Sequence, residues 1–115
     1  MSNRDSNRSE YRYFPEDEPS LTLLLDAFLR TLRDDLTTRP IVRKVCALML
    51  AGGYGRGEGG IYRDSEGNAL HLYNNLEFYL IVANKAAILP AEMWCREQSA
   101  RGERELGIRT AGLLS

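Results

Sequence analysis

Val45-Cys46-Ala47-Leu48-Met49-Leu50-Ala51-Gly52-Gly53-Tyr54-Gly55-Arg56-Gly57-Glu58-Gly59-Gly60 joins a short apolar run to a glycine-dense loop. Periodicity alone suits Val45–Ala51 to a strand or a buried helix; its length and the glycines directly after it favour a strand. Six of the nine residues from Gly52 to Gly60 are glycine, a residue with no side chain to pack and an entropic cost of ordering. Glycine permits close backbone approach and positive φ, the conditions for pointing consecutive N–H groups at an anion. The stretch therefore reads as a strand ending in an anion-cradling turn.

On its C-terminal side, Ile61-Tyr62-Arg63 and Ala69-Leu70-His71-Leu72-Tyr73 flank Asp64-Ser65-Glu66-Gly67-Asn68, which has the turn chemistry of a β-hairpin. Leu76–Ala83, with Phe78-Tyr79-Leu80-Ile81-Val82 at its centre, is rich in aromatic and β-branched residues and reads as the central strand. Pro90 suits the start of a helix running to Glu105, with Gly102 weakening its end and Leu106-Gly107 stopping it. Ile108–Leu114 reads as a last strand. On the N-terminal side, Leu21, Leu24, Leu25, Phe28, Leu29, Leu32 and Leu36 recur at three- and four-residue spacing, with Asp26, Arg30, Arg33 and Asp34 on the other face. That is an amphipathic helix, capped by Ser20 and stopped before Pro40. Residues 1–19 read as a flexible polar leader, and 20–115 as one domain. The expected fold class is α/β (α+β): a small mixed sheet flanked by the two helices.

The chain has 115 residues, a size for one core. Its 43% hydrophobic and 27% charged residues are those of a globular protein, and a net charge of -1 argues against a general nucleic-acid binder. Cys46 and Cys95 read as buried free thiols of a reducing cytoplasm. No apolar stretch has the length of a membrane span.

Asn75 and Glu77 stand two apart at the start of the central strand, so their side chains reach one point. A carboxylate pair at such positions binds Mg²⁺, which prefers hard oxygen ligands and bridges to substrate phosphates. With Gly52 and Gly53 after a hydrophobic strand and Asn75-Leu76-Glu77 on the next long one, the sequence resembles the DNA polymerase beta-like nucleotidyltransferase superfamily. Tyr73-Asn74-Asn75-Leu76-Glu77-Phe78-Tyr79 is similar to a bacterial subgroup with Tyr-Asn-Asp-Tyr-Asp-Phe there. The resemblance spans Val45 to Val82. It implies binding of an NTP such as ATP with Mg²⁺ and transfer of a nucleoside monophosphate to a hydroxyl acceptor. In that scheme Gly52, Gly53, Tyr54 and Arg56 bind nucleotide, and Glu77 and Asn75 are the catalytic, metal-holding pair.

The sequence departs from the pattern in two places. Asn75 stands where the family has its first Asp, bringing an amide oxygen but no charge. The segment Glu105–Ala111, matching the strand that usually carries a third carboxylate, offers Thr110 and Ala111 there. The expected activity is therefore weak or lost. The alternative is a non-catalytic nucleotide-binding or protein-interaction domain, a pseudoenzyme or a piece of a longer protein, with a protein partner or a second copy engaging it. Other residues keep two readings each. Arg56 touches phosphate or pairs with Glu58; Tyr54 and Tyr73 stack on a base or serve the core; His71 is a base or, with no acidic or nucleophilic partner visible in the sequence, a solvated strand residue, the reading favoured here.

Overall fold

The computed structural model describes residues 12–16, 18–66, 70–73 and 75–114. Elements follow in the order α1 (Pro19–Thr37), a 3-10 turn (Pro40–Lys44), β1 (Val45–Ala51), α2 (Gly52–Gly55), β2 (Ile61–Arg63), β3 (Leu70–Leu72) and β4 (Leu76–Val82). A second 3-10 turn (Lys85–Ala87), α3 (Ile88–Leu106) and β5 (Thr110–Leu114) complete the chain. The fold is mixed α+β, as the sequence pattern implies.

Helix α1 forms because one stripe of it is apolar: Leu21, Leu25, Phe28, Leu32 and Leu36 are all buried. Burying each such side chain is worth about 1.5–3 kcal/mol. Ser20 is not the cap, since it already lies inside the helix. Pro19 occupies the first turn, where its missing N–H costs nothing, and Glu18 precedes it without a side-chain cap. At the other end, the Thr37 and Thr38 hydroxyls donate to the carbonyls of Asp34 and Asp35, each at 2.7 Å, before Pro40 redirects the chain.

Two sheets replace the single one expected. The larger has the order β1-β4-β5, with β1 and β4 antiparallel and β4 and β5 parallel; β2 and β3 pair as a separate antiparallel hairpin. Part of that hairpin's turn, with Ala69, lies outside the described residues, as do Asn74, Asp17 and residues 1–11. The parallel pair needs a long crossover, and α3 supplies it. Pro90 sits in the first turn of α3 rather than at its start, and Gly107 closes the helix at φ 70°. Gly102 does not shorten α3: it is buried, with the Thr110 side chain where its Cβ would be.

Alternation along β4 gives the sheet two faces. Leu76, Phe78 and Leu80 are fully buried beneath α1 and α3. Glu77 and Tyr79, with Ala51, Met49, Ala111 and Leu113 as register partners, line the other face. The two helices are tied by a polar clamp. Asp35 of α1 accepts hydrogen bonds from Trp94 Nε1 at 2.7 Å and Gln98 Nε2 at 3.1 Å, both on α3, and from Arg39 Nε at 3.2 Å. Partial burial raises the Asp35 pKa, but the hydrogen bonds from Trp94 and Arg39 and the charges of Arg39 and Arg101 outweigh it, and the net shift is downward.

Two expectations change. The leader expected over 1–19 is partly core: Tyr13 and Phe14 are buried against Tyr54, Leu25 and Leu76. Cys46 is exposed, not buried, because β1 is an edge strand whose register breaks between Val45 and Ala47. Cys95 is buried, and its thiol is pushed up to about 11 by burial and the nearby Glu92 charge.

Candidate functional site

The end of β1 and the start of β4 lie side by side because Ala51 pairs with Glu77 across the antiparallel ladder. One residue further on, Gly52 turns the chain into α2 with φ 66°, a conformation open to glycine at little cost. A Cβ at Gly52 would come within 3.2 Å of Glu77 Oε2. The Glu77 carboxylate therefore covers the turn that leaves β1. On its other side, the parallel ladder sets Ala111 opposite Glu77. The half-buried Glu77 receives no hydrogen bond or ion pair among the described residues.

Asn75 is exposed, one residue before β4 begins, while the adjacent Leu76 N–H is held by the Arg109 carbonyl at 2.8 Å. The strand thus carries Asn75 to the end of the sheet where Gly52 and Glu77 meet. Among the described residues, no three His, Cys, Asp or Glu side chains converge to hold a metal ion. The donors at this end are one carboxylate and one amide oxygen, and Ala111 across the ladder adds only a methyl group. Such a set does not fit a resident Mg²⁺, because one negative charge faces two positive ones.

The glycine loop proves to be two things. Its first part, Gly52–Gly55, is a single helical turn, with the Arg56 N–H reaching the Gly52 and Gly53 carbonyls at 3.2 Å and the Glu58 N–H bonded to Gly53 at 2.7 Å. Its second part is a packing device. Gly59 is buried, donates its N–H to the Tyr13 carbonyl at 2.7 Å, and lies so close to Tyr54 that a Cβ would fall 2.1 Å from the ring. Glycine density here serves core packing as well as any anion cradle.

That packing decides Tyr54, whose expected place among the nucleotide contacts is corrected: the residue is 1% exposed, stacks edge-on to Phe14 at 5.8 Å, and donates its hydroxyl to Gly60 at 3.3 Å. Its ring is not available to a base. Arg56 is paired to Glu58 at 3.4 Å with both side chains about two-thirds exposed, so the pair is weak and the guanidinium remains available to an anion.

Neither a protein-family model, nor a curated protein, nor a solved structure matches this chain. The site is thus read from its own residues. Tyr73 is 70% exposed, and Tyr62 stands beside it, stacked on His71 at 5.0 Å and edge-on to Tyr73 at 6.1 Å. His71 also lies 3.7 Å from Asp64, an acidic neighbour hidden in sequence by the intervening turn. Period-2 alternation on a hairpin is the signal that could have grouped these rings, since Tyr62 and His71 are cross-strand partners. Arg12, Arg30 and Arg33 were also missed. They look like ordinary helix-surface and leader charges in sequence, yet they share one groove with Arg56.

Proposed function

We propose that this chain is a nucleotidyltransferase-type core that binds a nucleoside triphosphate and transfers its monophosphate to a hydroxyl acceptor slowly or not at all. The observation that carries this reading is the meeting of Gly52, Glu77 and Ala111: a positive-φ turn after a hydrophobic strand, an unpartnered carboxylate beside it, and a methyl group across the ladder. Under it, Gly52 and Gly53 receive the triphosphate, Arg56 leaves Glu58 to meet phosphate oxygens, and exposed Tyr73 offers a stacking surface. Glu77 and Asn75 orient the ligand through one charge and one amide. The protein's own donors do not fit a resident Mg²⁺.

The absence of a second and third acid at this end favours binding without turnover over efficient transfer. Among the described residues no helix is long and apolar enough to cross a membrane, and the proposed ligand is a cytoplasmic nucleotide.

The test is calorimetric titration with ATP and GTP, with and without Mg²⁺, on the natural sequence and on the Asn75→Asp/Ala111→Asp variant. Binding by the natural sequence, and metal-dependent monophosphate transfer gained by the variant, are the expected results. If both proteins are folded and neither binds nucleotide, the reading is wrong.

A further inference from the structure

An open groove of about 900 Å³ runs between α1 and β1. Leu32, Leu48, Leu50 and Phe78 reach its floor, and its rim carries four guanidinium groups, from Arg12, Arg30, Arg33 and Arg56, against one carboxylate, Asp26. Arg30 and Arg33 stand three apart on α1, so their like charges repel across one helix face. No ion pair or hydrogen bond reaches Arg30 among the described residues. Arg12 is held by the backbone carbonyls of Phe14 and Pro15, which leave its charge unneutralised. Arg33 meets Asp34 only at 3.3 Å with both side chains about two-thirds exposed, a weak pairing.

The second observation is the strand beside this rim. β1 is the outer strand of its sheet, and no described strand pairs with its far side. Met49 at its centre is 50% exposed. An edge with unpaired backbone groups is a template for another strand, and proteins use such edges to bind extended peptides. At about 3.3 Å per residue, the seven residues of β1 accommodate a segment of similar length.

We propose that this groove docks an extended acidic segment of a partner protein. The segment adds to β1 as a strand. Every other side chain then faces the groove, apolar ones on the leucine floor and carboxylates on the arginine rim, where planar guanidinium matches carboxylate geometry. Charge selects a peptide over a nucleic acid. Asp26 on the rim, with Asp34 and Glu58 paired to Arg33 and Arg56 beside it, breaks up the basic surface, and the net charge of -1 offers no continuous track for a polyphosphate backbone. This inference shares Arg56 with the nucleotide reading but rests on Arg30, Arg33 and the free edge of β1, so reversal of the two α1 arginines tests it separately.

The test is selection of a displayed library of random twelve-residue peptides on the natural protein, followed by fluorescence anisotropy of the enriched peptides. The expected pool alternates acidic with apolar residues. Those peptides should lose about tenfold or more in affinity with Arg30→Glu/Arg33→Glu, since two favourable rim contacts become repulsive. They should bind Arg104→Glu, altered on the exposed face of α3, as tightly as the natural protein. Slowed amide exchange along β1 should accompany binding. A pool without acidic enrichment, or acidic binders indifferent to the Arg30/Arg33 reversal, overturns the proposal. So does displacement of the peptides by a twelve-nucleotide single-stranded DNA at equal concentration, which would assign the groove to phosphate polyanions. Both α1 arginines are exposed, so circular dichroism should show the variants folded.

Discussion

Adding one methyl group at Gly59 separates the two roles of the glycine loop. The new Cβ of Gly59→Ala would fall 2.1 and 2.3 Å from two Tyr54 ring carbons and 2.7 Å from the Tyr13 carbonyl oxygen. Those separations are far inside van der Waals contact, and neither neighbour is free to yield. Tyr54 is 1% exposed and wedged against Phe14, while the Tyr13 carbonyl already accepts the Gly59 N–H at 2.7 Å. Overpacking of a tight core costs about 1–3 kcal/mol, and the backbone clash argues for the upper end. With a urea dependence of about 1.5 kcal/mol per molar for a small domain, a loss of about 3 kcal/mol lowers the unfolding midpoint by about 2 M. Gly53→Ala is the control. Its Cβ would be tight only against the Glu58 carbonyl oxygen, at 3.3 Å, with its other neighbours at ordinary contact distance, so a shift of a few tenths of an ångström relieves it, and its midpoint should stay within about 0.5 M of the natural protein. Urea titrations followed by Trp94 fluorescence and far-ultraviolet circular dichroism read both. Equal midpoints for Gly59→Ala and the natural protein would refute the packing account of the loop's second half.

Phe14→Ala, which empties a fully buried site outside the two main helices, should cost about 3–5 kcal/mol in the same titration; a change under 1 kcal/mol would return this segment to the leader. Asp35→Ala strips the Trp94 indole and Gln98 amide of their acceptor and should cost about 1–3 kcal/mol. Because folding lowers the Asp35 pKa, its stabilising contribution is present above the unfolded value near 4 and is lost as pH falls through the folded one. The stability difference between the natural protein and Asp35→Asn should therefore shrink as pH is lowered below about 4, and a difference that grows there would contradict the clamp. Cys46 should react with a thiol reagent in the native protein, whereas Cys95, buried and pushed up to about 11, should react only on unfolding; equal rates would sink the assignment. Ala111→Asp, on the half-exposed face beside Glu77, should fold, whereas Gly112→Asp, whose Cβ would meet Phe78 at 2.5 Å, should not; melting curves compare the two.

What the sequence revealed is local, and what it hid is long-range. The stripe Leu21, Leu25, Phe28, Leu32 and Leu36 and the alternation of β4 are patterns within one element, so periodicity finds them. The burial of Phe14 is not such a pattern. It depends on Tyr54 and Gly59, forty and more residues away, and a polar neighbourhood around Pro15 masks it. Asp35 looks like one more charge on a helix surface until α3 brings Trp94 and Gln98 to it across 59 and 63 residues of chain. Cys46 misleads in the opposite sense: it sits in an apolar run, but an edge position and a register break, neither encoded in composition, leave it facing water.

The candidate site follows the same division. Spacing alone puts Asn75 and Glu77 on one side of a strand, and the buried Leu76 and Phe78 confirm which side is inside. That Glu77 meets Gly52 on one flank and Ala111 on the other is a property of register, and register is fixed by the core rather than by the site. A slip of one residue along β5 would bring Thr110 or Gly112 opposite Glu77, and would set Ala111 or Leu113 where Gly112 now lies. Thr110 resists the slip because it is 4% exposed against Gly102, and Gly112 resists it because Phe78 fills the space a side chain would need. The alignment of the Glu77 carboxylate with the methyl of Ala111 is therefore held by contacts on the opposite face of the sheet. This is why an acid could be introduced at Ala111 without disturbing the fold, and why its effect on nucleotide chemistry would report on the site rather than on stability.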